Sequence, residues 1–305
     1  MRLFEEANYS LIPKRKIGYA VSIILVVLSI GAIATKGLQL GIDFSGGNEV
    51  VVQFEEAVSV TESRETLTGP LGGEPQIRHY GDPASLLIRT DADMETSELQ
   101  SVILNTFGDL YPGNNANVVR TDVVGPSFAE DLRNAAIMAV LFALLVIFIY
   151  ILVRFKKWSY SLGAVAALGH DVIITLGLFT MLHGILPFNL DLDQALIAAF
   201  LTIVGYSLND TVVVFDRIRE NSLIFKTEAF EKMVNRSINN TLSRTVVTSV
   251  TTLFVVTILF IFGGEVLKGF SFALILGVIL GTYSSIFVAS SLLVDLQQKT
   301  SKNIA

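Results

Sequence analysis

One acidic residue lies inside a strongly apolar stretch of the sequence. Residues 195–215 are mostly apolar, and Asn209 and Asp210 interrupt them shortly before the charged end near Arg217. If this stretch crosses a membrane as a helix, Asp210 lies about 9 Å inside its charged end. An ionisable group at that depth costs several kcal/mol, and such groups commonly mark ion pathways and proton relays. Asp210 is therefore the first candidate functional residue.

Polar neighbours accompany Asp210 at helical spacing. Tyr206, Ser207 and Thr202 precede it by four, three and eight positions, which predicts a polar stripe facing a helix bundle or cavity. The alternative is that Asp210 ends a short helix in interfacial water. The apolar residues 211–215 weigh against that alternative.

A second buried charge, Arg244, begins the next apolar run. Thr248 and Thr252 continue its helical face, and it lies about 12 Å beyond Arg236 along a helix. This places Arg244 near the depth of Asp210, so the two opposite charges are expected to pair. The alternative is that Arg244 is an ordinary positively charged anchor at the membrane surface.

Asp171 is a third ionisable group within an apolar run. It follows His170, and Thr175 lies one turn further on. Two interpretations remain open for Asp171: a structural, hydrogen-bonded carboxylate, or a direct functional role. His170 lies on a different face from Thr175 and fits a packing or cavity histidine.

Composition excludes several other kinds of site. The chain has 305 residues and no cysteine, so it has neither disulfides nor thiolate metal sites. Its three histidines are scattered, which disfavours a metal centre, and the net charge of -6 gives no nucleic-acid footprint.

Residues 42–47, IDFSGG, are interpreted as a structural turn with an aspartate cap. No phosphate-binding loop is present, and no cofactor other than protons is expected.

These residues must be positioned by membrane helices. Half of the residues are hydrophobic (51%) and only 16% are charged, which is unlike an ordinary soluble protein. Six apolar runs are long enough to span a bilayer: 17–34, 135–153, 158–182, 195–215, 246–262 and 270–294. Ala32-Ile33-Ala34 resembles a signal-peptidase site, but the length of the first run favours an uncleaved helix.

The hydrophilic block 38–127 predicts a folded α+β domain. Strands are predicted at 49–54, 76–80, 85–89 and 117–124, with a turn at Gly81-Asp82-Pro83. Helices are predicted at 59–67 and 96–110, the second capped by Thr96 or Ser97. The order β-α-β-β-α-β is the split arrangement of ferredoxin-like domains.

The distribution of charge predicts the orientation in the membrane. The 38–127 block carries fourteen acidic residues and four arginines. The termini and the loops on the opposite side of the membrane carry fourteen Lys and Arg residues in total, whereas the segments on the side of the block carry seven. By the positive-inside rule both termini are cytoplasmic, and the acidic block lies outside, in the bacterial periplasm. Three parts follow: 1–37 with the first helix, the periplasmic domain 38–127, and 128–305 with helices two to six.

Six motifs together resemble the SecF family, over nearly the whole chain from about residue 14 to residue 293. The span-four and span-five motifs are the most specific. The motifs are GIDFSGG, VGPSFAEDL, ALGHDVIITLG, VGYSLNDTVVVFDRIREN, TLSRTVVTSVTTL and GTYSSIFVASSLL.

The resemblance implies a six-helix half of a transporter of the RND superfamily, whose other half is SecD. It implies a role in late, periplasmic-side steps of Sec-dependent protein export, driven by the proton motive force. The implied partners are SecD, the SecYEG channel, YajC, the exported unfolded polypeptide and the lipid bilayer of the inner membrane, and no nucleic acid. No enzymatic reaction is implied.

The resemblance also assigns roles to residues of this chain. The family's proton-path residues match Asp210 and Arg244, with Thr248 as a helper. Asp171, Tyr206 and Asn209 are candidate supporting residues. Ser45 and Phe128 depart slightly from neighbouring motifs of the family.

Three rival interpretations remain at this level. An RND-type transporter of lipids or small molecules would need a ligand cavity and its second half. An intramembrane aspartyl protease would need the GxGD signature, but Leu208 and Asn209 precede Asp210. A structural scaffold for SecD would make Asp210 and Arg244 a static ion pair.

Overall fold

The computed structural model describes residues 7–302 of the chain. In chain order its helices are α1 (Arg15–Lys36), α2 (Ile42–Ser45), α3 (Val60–Thr68), α4 (Thr96–Leu110), α5 (Pro126–Phe155), α6 (Trp158–Leu182), α7 (Gln194–Ile224), α8 (Phe230–Phe262), α9 (Glu265–Ser284) and α10 (Ser291–Lys302). A 3₁₀ turn, Ile12–Lys14, precedes α1, and a π-helical segment, Ser285–Ser290, joins α9 to α10. The predicted cytoplasmic residues 1–6 and 303–305 lie outside the described part.

Six of the described helical segments are long and apolar enough to cross a membrane, which confirms the six predicted spans. They are α1, α5, α6, α7, α8 and the continuous segment from α9 into α10. The chain is therefore a multi-pass helical membrane protein.

The two helices that carry Asp210 and Arg244 are longer than the sequence predicted. α7 has 31 residues and α8 has 33, and each exceeds the roughly 20 residues that span a bilayer. Most of residues 217–243, which lie between the fourth and fifth predicted spans, are therefore helical. A buried hydrogen bond of 2.8 Å from Asn221 Nδ2 to Ser237 Oγ joins the polar ends of the two helices. Such partners allow polar residues to continue a helix beyond its apolar part.

Between α1 and α5 the chain forms a four-stranded sheet with two helices, which we call the outer domain because it lies outside the bundle of membrane helices. The strands are β1 (Gly47–Gln53), β2 (Gln76–Tyr80), β3 (Asp82–Thr90) and β4 (Asn117–Val124). Their order is β2-β3-β1-β4, and every neighbouring pair is antiparallel. Fully buried side chains of the sheet, among them Val50, Leu86 and Ile88, pack against buried side chains of the helices, among them Leu99 and Phe107 of α4.

The other face of this sheet meets the membrane helices. Strand residues alternate between the two faces, so Leu87 and Arg89 point away from α3 and α4. With Glu49 of β1 they line a cavity of about 400 Å³ shared with Asp191 and Phe270. The outer domain therefore rests on the loop between α6 and α7 and on the start of α9.

Two local predictions in the outer domain were wrong. The residue at the N-cap of α4 is Glu95, without a side-chain cap bond, instead of Thr96 or Ser97. The predicted turn also shrinks, because β3 begins at Asp82 and only Gly81 separates it from β2. Gly81 has φ +86°, a conformation that glycine adopts without the steric strain of other residues.

The predicted turn at residues 42–47 contains the short helix α2. Its aspartate caps a distant helix: Asp43 Oδ2 accepts a 2.9 Å hydrogen bond from the backbone N–H of Gln194, the first residue of α7. The sequence signal for a cap was therefore correct, but the capped helix lies about 150 residues away.

Small residues bring α9 close to α7 in the middle of the bundle. A Cβ atom added at Gly277 would collide with Ile203, and one at Gly281 would lie 2.8 Å from Ser207 Cβ. Small residues at such interfaces let membrane helices approach closely. In contrast, α1, α5 and α8 are largely exposed on the isolated chain, so they offer broad surfaces to lipid or to another subunit.

Candidate functional site

Asp210 lies on the inner side of α7 and is 2% exposed. Its Oδ2 atom is buried and has no hydrogen-bond partner among the described residues. An oxygen left in this state costs free energy unless a proton, water or another group reaches it. The structure thus confirms that Asp210 is buried rather than bathed in interfacial water.

Arg244 does not form the direct ion pair that matched depth suggested. Its charge acts on the carboxylate of Asp210, but no nitrogen–oxygen contact within 4.0 Å joins them among the ion pairs of the described chain. Arg244 lies on the exposed side of α8, whereas Asp210 points into the bundle. The two side chains therefore face different sides of their helices, and the direct pair that the sequence predicted does not form in the described chain.

Hydroxyl groups extend from Asp210 across three helices. Ser249 of α8 is buried near the carboxylate of Asp210, and its Oγ lies 2.6 Å from Thr282 Oγ1 of α9. The Tyr206 and Thr245 hydroxyls are buried without hydrogen-bond partners in the described chain. Unsatisfied polar atoms of this kind are places where ordered water or a transferred proton can bind.

The predicted polar stripe on α7 divides between two environments. Ser207 is fully buried, and Tyr206 and Thr248 are half-buried. Thr202 and Asn209 are exposed on the isolated chain. Because they lie seven residues apart on α7, they share a face that differs from the buried face of Ser207. The expectation that the whole stripe faces the bundle was therefore wrong for Thr202.

Asp171 is the centre of a buried hydrogen-bond network. Its Oδ2 accepts hydrogen bonds from Ser207 Oγ of α7 and Ser284 Oγ of α9, both at 2.7 Å. Its Oδ1 lies 2.9 Å from His170 Nδ1. Asp171 is 1% exposed. Its hydrogen bonds therefore join α6, α7 and α9 at one buried carboxylate. His170 is a partner of Asp171 rather than an isolated packing residue.

Sequence reasoning missed Ser284 and the irregular helix that follows it. The π-helical segment begins at Ser285, and Ser290 Oγ donates to the carbonyl of Ser285 five residues earlier at 2.7 Å. π-Helical segments are rare and often occur at functional sites. The signal available in the sequence was the small polar run at residues 282–285 within an otherwise apolar span.

Comparison with known families and proteins identifies the chain. The family model "Protein export membrane protein SecD/SecF, C-terminal" matches residues 106–299, and the "SecD/SecF GG Motif" matches residues 31–58. The chain is 58% identical over 299 residues to the protein translocase subunit SecF of Rhodothermus marinus, covering 98% of this chain and 96% of the relative. The chain belongs to the SecF family. A SecF of Calditerrivibrio nitroreducens is 42% identical, with 94% of this chain and 93% of that protein aligned.

Solved structures support the same fold for this SecF-family chain. It superposes on the crystal structure of SecDF, a translocon-associated membrane protein from Thermus thermophilus, with a TM-score of 0.86 and 35% identity. A SecDF structure described as the super-membrane-facing form gives a TM-score of 0.72 and 34% identity. In both, the alignment covers 98% of this chain but only 40% of the solved chain. Both solved chains are therefore much longer than this one.

Proposed function

We propose that this SecF-family chain is a protein translocase subunit that works with SecD in the bacterial inner membrane. The pair uses the proton motive force to assist late, periplasmic-side steps of Sec-dependent export. The observation that carries the proposal is Asp210, a fully buried membrane carboxylate with an unpartnered oxygen and an arginine charge nearby.

In the proposed mechanism, two opposing effects act on a carboxylate in such a site. Burial in a low-dielectric environment favours the neutral form, while a nearby arginine favours the ionised form. Protonation of Asp210 from the periplasm removes its attraction for Arg244, and release of the proton to the cytoplasm restores it. Each cycle biases the packing of α7 against α8. One charge crossing 100 mV supplies about 2.3 kcal/mol.

Other polar residues support this relay. Thr248 lies one turn from Arg244 on α8 and is half-buried, so it can assist the arginine. Tyr206 brings a buried, unpartnered hydroxyl, and Asn209 faces the exposed side of α7. Asp171 holds the neighbouring helices α7 and α9 through its hydrogen bonds from Ser207 and Ser284. Protons are the only cofactor in this proposal, and no enzymatic reaction is part of it.

SecD completes the site by packing on the exposed side of α8. Arg244 is exposed on the isolated chain, and the neighbouring Val250 and Phe254 are 58% and 67% exposed. An arginine at membrane depth needs a partner or water, and a carboxylate from SecD meets that need. The complex works beside the SecYEG channel, with YajC, and acts on exported unfolded polypeptides.

The orientation follows from the charges. Both termini are cytoplasmic, and residues 38–127 form a ferredoxin-like domain in the periplasm. The antiparallel order β2-β3-β1-β4, with helices after β1 and β3, supports the ferredoxin-like topology.

Replacing Asp210 by asparagine tests the proposal. The Asp210→Asn variant retains the size of the side chain but cannot cycle between charged and neutral states, so gradient-stimulated export should be lost while assembly with SecD persists. The measurement is export into inverted membrane vesicles with and without a proton gradient.

Asp216→Asn is the matched control. Asp216 lies on the same helix but is exposed and pairs with Arg154 at 3.0 Å. Its replacement should leave gradient-stimulated export unchanged. Normal stimulation in the Asp210→Asn variant would contradict the proposed function.

A further inference from the structure

A buried cluster of charges joins the outer domain to the loop before α7. Asp191, in that loop, is 6% exposed. Its Oδ2 accepts hydrogen bonds from Nη2 of Arg78 at 2.6 Å and of Arg89 at 2.9 Å, and its Oδ1 lies 2.9 Å from His183 Nε2. The arginines lie on β2 and β3 of the outer sheet. One carboxylate therefore connects two strands of the outer domain to the membrane helices.

A second carboxylate balances the cluster. Glu49 of β1 is 6% exposed, and its Oε2 lies 3.1 Å from Arg89 Nη2. We call Asp191, Glu49, Arg78, Arg89 and His183 the Asp191 junction. The other oxygen of Glu49, Oε1, lies 2.9 Å from Nη2 of Arg120, which is 40% exposed at the edge of the cluster. Opposite charges paired in this way compensate the desolvation of buried charges.

Backbone contacts reinforce the Asp191 junction. The amide of Leu192 donates to the carbonyl of Gln39 at 2.8 Å, and the amide of Gly41 donates to the carbonyl of Leu192 at 2.7 Å. Arg89 Nη1 also donates to the carbonyl of Leu40 at 3.0 Å. The segment that leads from α1 into the outer domain and the segment that leads into α7 are thus hydrogen-bonded side by side.

The first turn of α7 is held from both sides. Asp193 Oδ1 accepts from the backbone N–H of Leu196 at 2.7 Å, as an ordinary N-cap. Asp43, which opens the outer domain, accepts from the N–H of Gln194 at 2.9 Å. Negative side chains at a helix N-terminus satisfy its free N–H groups and its dipole.

α7 connects the Asp191 junction to the membrane site. The helix is continuous over Gln194–Ile224. Asp210 lies about 24 Å along the helix from its first residue. A rigid helix transmits a shift or rotation at Asp210 to its own N-terminus. The junction is attached at that end.

We propose that Asp191 is a positioning residue that fixes the outer domain to α7, so that the domain moves with the helix that carries Asp210. This proposal rests on the proposed function for one point only, namely the cause of the movement of α7. The mechanical attachment itself rests on the contacts of the Asp191 junction.

The Asp191 junction is a permanent attachment rather than a pH switch. Burial alone would raise the pKa of Asp191, but the hydrogen bond from His183 and the charges of Arg78 and Arg89 hold that pKa well below its usual range. Asp191 therefore stays ionised at every physiological pH. A change in external pH leaves the attachment in place.

The attachment can be measured as a distance between two spin labels. The chain has no native cysteine, so labels can be placed at Asn105→Cys on α4 and Phe262→Cys at the end of α8, both exposed positions. Pulsed EPR on the full chain with SecD in lipid nanodiscs should give one narrow distance distribution. Asp191→Asn leaves the two arginines without their shared carboxylate and should widen the distribution by about twofold or more. Asp191→Glu should restore most of the narrow distribution.

Glu220→Gln is the matched control for the Asp191 variant. Glu220 also binds an arginine, Arg217, at 2.9 Å, but this pair lies towards the other end of α7 and the Glu220 side chain is 57% exposed, so the width of the distance distribution should not change. If Asp191→Asn does not fold, Arg78→Gln removes only one bond of the Asp191 junction and should still widen the distribution.

Export activity separates this proposal from the proposed function. Asp191→Asn should widen the distance distribution and also lower gradient-stimulated export, whereas Asp210→Asn should lower export with the narrow distribution retained. An unchanged distribution in both Asp191→Asn and Arg78→Gln would overturn the attachment. Full export with a widened distribution would show that the attachment by Asp191 makes no contribution to export. Unaffected export in Asp210→Asn alone would contradict the proposed function and leave the attachment standing.

Discussion

Single carboxylates have different roles in this chain because their surroundings differ. Asp210 is buried with an unpartnered oxygen, which suits a group that gains and loses a proton. Asp171 is buried with three hydrogen-bond partners, and Asp191 with two arginines and a histidine. Partners that fix one protonation state favour a structural or positioning role over proton transfer.

The Asp171 network predicts a graded loss of stability. Ser284→Ala removes one hydrogen bond and should cost about 0.6 kcal/mol, the average measured for interhelical bonds in membranes. Asp171→Ala leaves Ser207, Ser284 and His170 without their acceptor and should cost about 3 kcal/mol or more. Thermal unfolding of the purified chain in detergent measures both.

Ser290→Ala is the control for Ser284→Ala. Ser290 is equally buried, but its Oγ bonds to its own helix at Ser285. Its replacement should therefore change stability less. Equal losses in the Ser290 and Ser284 variants would show that the bond to Asp171 adds nothing to helix association.

At the scale of elements, α7 is the helix on which the proposed function depends. It carries Asp210 in its middle. Its N-terminal end is attached to the outer domain through Asp43 and the Asp191 junction, and its C-terminal end is bonded to α8 through Asn221. The close packing of α7 against α9 fixes its position between these ends. A disturbance of that packing should therefore affect the proposed relay without touching its residues.

Gly277 tests this packing. Gly277→Leu places a side chain against Ile203 of α7, where even a Cβ would collide, so it should destabilise the bundle by about 1–3 kcal/mol and lower gradient-stimulated export. Gly205→Ala, on α7 itself, meets no heavy atom within 4 Å and should be neutral or slightly stabilising. Thermal unfolding and vesicle export would measure both variants, and an equally stable Gly277→Leu variant would contradict the packing model.

At the scale of the whole molecule, the outer domain and the helix bundle are joined by ion pairs, so strong acid should weaken their attachment. The pKa of Asp191 is lowered in the folded protein, while that of a free aspartate is about 3.9. The stabilisation that the ionised Asp191 gives to the attachment is therefore fully present above about pH 4 to 5. It is lost as the pH falls towards the lowered pKa that Asp191 has in the folded protein.

The label pair at Asn105 and Phe262 would measure this dependence. The narrow distance distribution should persist from pH 8 to about pH 5 and widen only in stronger acid. In the Asp191→Asn variant this acid-dependent widening should be absent, since the group that titrates is gone. A transition near neutral pH in the unmodified protein would contradict a permanently ionised Asp191.

The sequence by itself determined the six spans, the outer domain's strands and helices, and the burial of Asp210. These features follow from local patterns in the sequence. The length of an apolar run predicts a membrane span, alternation of apolar and polar residues predicts a strand, and apolar residues at 3.6-residue spacing predict a helix. The segments Trp158–Leu182, Gln76–Tyr80, Thr96–Leu110 and Asn117–Val124 were predicted with their observed bounds.

Only the tertiary structure decided which residues meet. The sequence suggested that Arg244 and Asp210 pair, but Arg244 lies on the exposed side of α8 while Asp210 points into the bundle. No local pattern records the rotation of a helix about its own axis. The cap at Asp43 serves a helix that begins at Gln194, and Asp191 finds its arginines on strands about a hundred residues earlier. Such contacts depend on how helices and strands pack in three dimensions, and a polar residue in a loop gives no sign of its distant partner.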